Sequence, residues 1–314
     1  MSKPDPSIAA VSQTASTDGN FQALQRIGAR IADVGGIPVA RALPSRQRRL
    51  VGAWCFLDHA GPADFAKGEP GMQVGPHPHI GLQTFTWMIE GEVLHTDSLG
   101  NSQVIRPGQV NLMTAGRGIA HTEQSLPGQA RLHAAQLWIA LPAEYSQIAP
   151  AFDHYPHLPN WTEQGVACTL LVGEFNGHTA PARTFSPLLG VELLASEPAS
   201  LTLPLRPDFE YAMLPLEGSL QVGTEAIGLN ELAYLGIGRS SVEFSMSSGG
   251  RVLMVGGEPL NEEILIWWNF VGHDKVEIAR AQHDWERGGE RYGNVAGLSG
   301  PRLMPPPLPW PGIE

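Results

Sequence analysis

The sequence predicts an all-β protein built from two antiparallel β-barrels, followed by a short C-terminal helix and a proline-rich tail. The length of 314 residues suits two domains of roughly 150 residues each. The chain contains 36 glycines and 27 prolines, about a fifth of all residues, whereas their usual share is roughly 12%. Turns must therefore be frequent, and frequent turns between short apolar runs are typical of antiparallel sheets. The hydrophobic content of 42% supplies a core for each half.

The division into two barrels follows from the pattern of turns and from a weak repeat. Between residues 75 and 141, glycine-marked turns separate apolar segments that show no helical period. The fragment MIEGEV at 88–93 resembles LPLEGSL at 214–220, which indicates a duplicated barrel. We therefore expect a flexible N-terminal tail at 1–24, a first barrel at 25–150, a second barrel at 151–290 and a proline-rich tail at 291–314.

Two helical segments are predicted near the C-terminal end. Residues 261–266 have a composition that can open a helix, and residues 274–287 form a run with charged flanks that favours a longer one. The prolines at 305–311 predict an extended, polyproline-like segment. We expect this tail to lie on its own domain or in solvent, and a role as the ligand of a proline-binding module is the weaker alternative.

Charge, hydropathy and cysteine content exclude several classes of protein. The formal net charge of −11 repels nucleic-acid phosphates, so direct DNA or RNA binding is not expected. No apolar run reaches the length of about 18 residues that a membrane helix needs, and residues 1–20 lack an apolar signal core. Cys55 and Cys168 are the only cysteines, which excludes a disulfide framework and favours buried thiols in a reducing compartment. Together these features predict a cytoplasmic protein.

Two short motifs carry the chemistry of the first barrel, GPHPHIG at 75–81 and TAGRGIAHTE at 114–123. Residues i and i+2 of a strand point to the same face, so His77 and His79 share one face, and His121 and Glu123 share another. Two neighbouring strands that offer such pairs inward would place three imidazoles and one carboxylate around a single point. This donor set suits Fe, Cu, Ni, Co or Zn. Either motif alone is also explained by hydrogen-bonded or surface histidines, but together they favour a metal site.

The N-terminal half resembles the pirin family of the cupin superfamily. The matching fragments are LDHAGP at 57–62, HPHIGLQT at 77–84, MTAGRGIAHTE at 113–123 and QLWIALP at 136–142, with GGEPL at 256–260 and NFV at 269–271 similar to the pirin C-terminal region. The resemblance runs from about residue 25 to residue 290. The sequence departs from it at Gln83, where pirins usually carry a glutamate, and at the Trp267-Trp268 pair.

The resemblance implies two stacked cupin barrels, a bicupin, with one Fe(II) per chain in the N-terminal barrel. Its ligands would be His77, His79, His121 and Glu123, and other divalent transition metals would also fit this site. Pirin-like proteins are associated with quercetin 2,3-dioxygenase activity, and some act as transcriptional co-regulators. The second barrel has no histidine between residues 180 and 271, so we expect no transition metal there.

The leading functional hypothesis is therefore a dioxygenase that acts on a small aromatic substrate of the flavonol type with dioxygen. Glu123 is predicted to be both a metal ligand and the catalytic base that takes the substrate's hydroxyl proton. The first alternative is a non-enzymatic, metal-dependent redox-sensing regulator that binds a protein partner. The second alternative is a metal-dependent isomerase or lyase on the same scaffold.

The other notable side chains have less specific interpretations. We expect His59 to make structural hydrogen bonds and His95 and His133 to lie in the core or at the rim of the site. Phe85, Trp87 and Ile89 either line the cavity or, more simply, fill the barrel core. The remaining histidines are expected at the surface: His154, His157, His178, His273 and His283.

Overall fold

The computed structural model describes residues 24–296 and 301–310. The predicted N-terminal tail, Leu24 excepted, lies outside the described residues. Within them the chain forms 26 β-strands, one α-helix and two 3-10 turns, which confirms the all-β prediction. In this part of the chain, no helix is both long enough and apolar enough to cross a membrane.

The first half of the chain supplies twelve strands. They are β1 (Gln25–Gly28), β2 (Arg30–Val34), β3 (Ile37–Leu43), β4 (Trp54–Asp64), β5 (Gln73–His79), β6 (Leu82–Glu90), β7 (Val93–Asp97), β8 (Ser102–Ile105), β9 (Val110–Thr114), β10 (Ile119–Ser125), β11 (Arg131–Ala140) and β12 (Ala151–Tyr155). Eleven of them build the first domain as a seven-stranded sheet, in the order β12-β9-β6-β11-β4-β3-β2, and a four-stranded sheet, in the order β5-β10-β7-β8. All ladders in both sheets are antiparallel, as the frequent turns predict.

The second half repeats this plan. Its strands are β13 (Asn160–Glu163), β14 (Val166–Val172), β15 (Glu174–Phe175), β16 (His178–Thr179), β17 (Leu188–Ala195), β18 (Ala199–Pro204), β19 (Glu210–Glu217), β20 (Leu220–Val222), β21 (Glu225–Ile227), β22 (Glu231–Gly236), β23 (Ser241–Met246), β24 (Gly250–Gly257), β25 (Leu265–Trp267) and β26 (Phe270–Gly272). A seven-stranded sheet, β1-β22-β19-β24-β17-β14-β13, accompanies a four-stranded sheet, β18-β23-β20-β21. The pairs β15-β16 and β25-β26 form separate two-stranded ribbons.

The two domains exchange strands at the ends of their larger sheets. Strand β1 pairs with β22, so that Gln25 lies opposite Tyr234 in the second domain. Strand β12 pairs with β9 and closes the edge of the first domain's larger sheet. The sequence division assigns residues 25–28 to the first barrel and residues 151–155 to the second, whereas each pairs with the other domain. A short edge strand can pair with whichever nearby sheet offers unpaired backbone N–H and C=O groups at its edge. Amino-acid composition does not reveal which sheet that is.

The two seven-stranded sheets pack against each other through a large shared apolar core. Phe85 and Trp87 of β6 project into this core together with Trp54, and not into the interior of their own barrel. The indole Nε1 of Trp87 donates to Glu192 Oε1 at 2.8 Å, and that of Trp54 donates to the Gly256 carbonyl at 3.1 Å. Both faces of the first large sheet are therefore buried, one by the barrel and one by the second domain.

The segment after β24 folds back over the first domain. Residues 261–266 do not form the expected helix, because the chain there leads into the β25-β26 hairpin. The second predicted helix is present as α1 (Lys275–Glu286), with Asp274 as its N-cap accepting a hydrogen bond from Glu277 N. The 3-10 turns span Ala143–Tyr145 and Glu290–Tyr292.

The proline-rich tail lies on its own protein, as expected. Leu303 N donates to the Pro76 carbonyl at 2.8 Å, which places the tail beside the N-terminal half of β5. The indole of Trp285 in α1 donates to the Leu303 carbonyl, and Gln282 donates to the Pro306 carbonyl. The tail and α1 together cover the edge of the small sheet that carries the GPHPHIG motif.

Candidate metal centre

Strands β5 and β10 bring the two predicted histidine motifs together. His77 lies directly opposite His121 in the ladder, and His79 lies two residues further along β5. After His79 the chain turns at Gly81, whose φ of +65° and contact with the Val271 carbonyl leave no room for a side chain. This explains the glycine that follows the H-x-H pair.

The three imidazoles converge on one point. One ring nitrogen from each of His77, His79 and His121 lies within 4.8 Å of the other two, and all three side chains are buried. The Nε2 atoms of His79 and His121 are only 3.1 Å apart. The structure thus brings together three of the four side chains that the sequence predicts as ligands, and their role as ligands stays a prediction.

Hydrogen bonds on the far side of two rings fix their orientation. His77 Nδ1 donates to the Gly75 carbonyl at 2.9 Å, and His79 Nδ1 donates to the Asn269 carbonyl at 3.0 Å. Because a carbonyl only accepts, each Nδ1 must carry the hydrogen, and each Nε2 presents a lone pair. Two lone pairs that face a common point need a cation or a proton between them.

The electrostatics of the three rings suit a cation more than protons. Burial lowers the pKa of His77 to about 4 and holds the pKa of His79 and His121 well below the ordinary value of 6.5. Mutual repulsion among the rings lowers the pKa of the last two further. At neutral pH the cluster is therefore neutral, which is the form of imidazole that binds a transition metal.

Glu123 stands apart from the converging histidines. Among the described residues, the group of ligand atoms within 4.8 Å of one another contains the three imidazoles and no carboxylate. A bulge in the β5-β10 ladder separates His121 from Glu123, so that Glu123 lies opposite Val74. Burial raises the pKa of the Glu123 carboxyl, while nearby His95 and a hydrogen bond with Thr86 act in the other direction. Its assignment as the fourth ligand stays a prediction.

His95 is part of the site, although the sequence indicated only a core or rim position. It lies on β7 opposite Glu123, and its Nδ1 is 3.3 Å from His121 Nδ1. Its Nε2 is 3.1 Å from Asp97 Oδ2, and its ring stacks on Phe152 with centroids 4.3 Å apart. The signal that was available is the i, i+2 pair His95-Thr96-Asp97, the same spacing that identified the ligand pairs.

Gln83 lies away from the metal centre. Its Nε2 donates to Thr114 Oγ1 at 3.0 Å and to the Arg183 carbonyl at 3.1 Å. Gln83 shares its face of β6 with Phe85 and Trp87, which project into the core between the domains, because residues two apart on a strand point to the same face. The glutamine therefore faces the second domain and not the three histidines.

His59 and His133 also lie at the contact between the domains. Their Nε2 atoms are 2.7 Å apart, and His59 Nδ1 is 2.6 Å from Asn230 Oδ1 in the second domain. His59 thus makes the structural hydrogen bonds expected of it, while His133 is part of the same contact and not of the metal site. Of the histidines expected at the surface, His157 is exposed and His154 is half-buried beside Asn111.

Aromatic side chains form one wall of the centre. Trp138 of β11 meets the His79 ring edge to face at 5.2 Å and stacks on Phe56 at 4.0 Å. Two surface clefts, of about 460 and 430 Å³, are lined by other parts of the chain and by none of the three histidines. We place the chemistry at the histidine cluster, because converging neutral imidazoles are a chemical signal and an open cleft is only a shape.

Comparison with known proteins agrees with this geometry. Residues 36–139 match the Pirin family, and residues 190–291 match the pirin C-terminal cupin domain. A Pseudomonas aeruginosa protein named "Putative quercetin 2,3-dioxygenase PA1205" is 63% identical over 91% of this chain and 91% of its own. A pirin-like protein of Caulobacter vibrioides is 37% identical over 83% of this chain and 92% of its own.

The fold is also shared with a solved structure. The crystal structure of a quercetin 2,3-dioxygenase from Acinetobacter baumannii superposes with a TM-score of 0.89 at 47% identity, covering 92% of this chain and 96% of that one. Two antiparallel barrels, the histidine motifs and these matches lead to one conclusion. The chain belongs to the pirin family.

Proposed function

We propose that the protein is an Fe(II)-dependent dioxygenase of the quercetin 2,3-dioxygenase type that cleaves a flavonol. The observation that carries this proposal is the convergence of three neutral imidazoles, His77, His79 and His121, inside the N-terminal barrel. The names of the similar Pseudomonas and Acinetobacter proteins support the reaction class. The two buried free thiols, Cys55 and Cys168, agree with a cytoplasmic location.

The donor set fits one divalent transition metal per chain. The three Nε2 atoms would hold it, and Glu123 would complete the set as the fourth ligand. With three neutral ligands and one carboxylate, the centre carries a net charge of +1, which favours an anionic substrate. When bound, the metal would supply positive charge and the electron chemistry with dioxygen.

The chain's own residues bind the substrate and move its proton. A flavonol hydroxyl must lose a proton to become the anion that the centre favours, and Glu123 is the base for this step. Its raised pKa makes the carboxylate a stronger base than an exposed glutamate, because basicity rises with the pKa of the conjugate acid. Trp138 meets the His79 ring edge to face and Phe152 stacks on His95, so the surroundings of the centre are aromatic and apolar, which suits an aromatic substrate.

The direct test is oxygen uptake with quercetin on protein loaded anaerobically with Fe(II). We expect about one iron per chain and oxygen consumption that depends on quercetin. His79→Ala removes one converging lone pair, and its loss of metal affinity should exceed the 10–100-fold typical of residues that only support a ligand. His157→Ala, which changes an exposed histidine, is the matched control and should retain both metal and activity.

Four outcomes would contradict the proposal. Two tightly bound metals per chain, or full metal content in His79→Ala, would place the metal elsewhere. Protein with one iron and no oxygen uptake would favour the regulator that binds a protein partner. Turnover of quercetin without oxygen consumption would favour an isomerase or lyase.

A further inference from the structure

The small sheet of the first domain carries a second polar pair beside the three histidines. His95 and Asp97 share one face of β7, and Asp97 lies directly opposite His121 in the β7-β10 ladder. His121 Nδ1 is 3.3 Å from His95 Nδ1, and His95 Nε2 is 3.1 Å from Asp97 Oδ2. All three side chains are buried. A continuous row therefore runs from the carboxylate through one imidazole to the back of another.

We propose that the Asp97–His95 pair positions His121 by holding its proton on Nδ1, so that its Nε2 lone pair faces the metal. This inference rests on the proposed metal site and deepens it. His77 and His79 are held in the matching form by backbone carbonyls, whereas His121 has only a side chain, His95, behind it. Mutation can remove a side chain but not a backbone carbonyl, so the orientation of His121 can be tested by substitution of His95.

The turn that follows β7 sets the direction in which the hydrogen bonds of this row are donated, from His121 to His95 and from His95 to Asp97. Asp97 Oδ1 accepts hydrogen bonds from Leu99 N at 2.9 Å and from Asn101 N at 3.0 Å, while Oδ2 faces His95 and also accepts from Asn101 Nδ2 at 2.9 Å. Hydrogen bonds from His95 and Asn101 outweigh burial and lower the pKa of Asp97, so it is a carboxylate and accepts only.

Because Oδ2 accepts, the Nε2 of His95 must donate to it, and in the tautomer with its single hydrogen on Nε2 the Nδ1 of His95 has a lone pair. That lone pair accepts the hydrogen of His121 Nδ1. Each hydrogen bond in the row thus decides the direction of the next, and the last of them leaves the Nε2 of His121 free of hydrogen.

Asp97→Asn tests the direction of the row with little change of shape. The amide oxygen should keep the place of Oδ1, because an NH2 group there would face two backbone N–H groups. The amide nitrogen then faces His95 Nε2 and donates to it. The hydrogen of His95 moves to Nδ1, which donates to His121 and forces the His121 hydrogen onto Nε2, where it opposes metal binding.

Two substitutions of His95 separate positioning from packing. His95→Asn retains an acceptor oxygen at the δ position, whereas His95→Phe keeps the stack on Phe152 but has no acceptor. If the pair acts through the proton of His121, His95→Asn should bind metal better than His95→Phe. A merely structural role predicts the reverse, because phenylalanine fills the ring's place.

The experiment measures the tautomer and the affinity separately. Two-bond ¹H–¹⁵N NMR of metal-free protein reports which nitrogen of His121 carries hydrogen, and calorimetry with Zn²⁺ reports affinity. We expect the Nδ1–H form in the wild type and in His95→Asn, a shift toward Nε2–H in Asp97→Asn, and a 10–100-fold weaker Zn²⁺ affinity in Asp97→Asn and His95→Phe.

The inference is overturned if the wild type holds the Nε2–H form, or if Asp97→Asn changes neither tautomer nor affinity. It is also overturned if His95→Asn and His95→Phe lose affinity equally. Each of these results leaves the metal site itself standing. A wild-type protein that binds neither Zn²⁺ nor Fe(II) would instead overturn the proposed function.

Discussion

Protonation of the buried His77, a predicted metal ligand, should make the metal-free protein unstable in mild acid. Burial lowers the pKa of this imidazole in the folded protein to about 4, against 6.5 in the unfolded chain. Below pH 6.5 the unfolded state therefore binds a proton at this histidine, whereas the folded state remains unprotonated there until the pH approaches 4. The loss of folding stability caused by His77 is small at pH 7, grows as the pH falls through 6.5, and levels off only near pH 4.

The size of the effect follows from the two pKa values. One pKa unit corresponds to about 1.4 kcal/mol, so lowering the pH from 7 to 5 costs about 2 kcal/mol of stability through His77 alone. His77→Gln removes the titrating ring, and its amide can still donate to the Gly75 carbonyl that His77 contacts. The variant should lose about 2 kcal/mol less than the wild type over this pH range.

Urea unfolding of metal-free protein at pH 7, 6 and 5 measures the difference directly. His157→Gln, at an exposed position, is the control and should follow the wild type. Excess Zn²⁺ should reduce the acid sensitivity of the wild type, since a bound cation excludes the proton. If the free energy of unfolding falls equally with pH in His77→Gln and in the wild type, the reasoning is refuted, because His77 then titrates alike in the folded and unfolded states.

Two further predictions concern side chains near the centre. Glu123→Gln keeps the shape of the side chain and removes its charge, so oxygen uptake with quercetin per bound metal should fall by about 10²–10⁴-fold while part of the metal remains; a wild-type rate per metal would move the base to another group. Gln83→Ala removes hydrogen bonds to Thr114 and to the Arg183 carbonyl, so it should lower the free energy of unfolding by about 1 kcal/mol with unchanged turnover per metal; a change in substrate selectivity would contradict its position facing the second domain.

The convergence of the three histidines could be predicted from the sequence because its signal is local. A separation of two residues puts His77 and His79 on one face of any strand, whatever that strand pairs with. The same rule placed His121 and Glu123 together, but it assumes a regular ladder. The bulge after His121 breaks that regularity, and its position depends on how β10 fits against β5 and β7 at once.

Residues whose roles depend on long-range pairing were harder to assign. For His95 the sequence indicates only a core or rim position, since its link to His121, 26 residues away, requires that β7 pair with β10. Phe85 and Trp87 alternate correctly with Thr84 and Thr86, yet both faces of β6 are buried. When both faces of a strand are buried, the sequence does not show which of its two alternating sets of side chains faces which domain.

The sequence by itself determined the all-β class and the two-barrel plan. It also predicted the helix α1 near the C-terminal end and the convergence of three imidazoles. Composition, turn residues and the spacing of two are properties of neighbouring residues, so they can be read without the fold. Only the tertiary structure decided that β1 and β12 pair across the domain boundary, that Gln83 faces away from the metal centre, and that the Asp97–His95 pair lies behind His121. Each of these depends on which distant strands share a ladder, and that choice is made by the free energy of the whole packed chain.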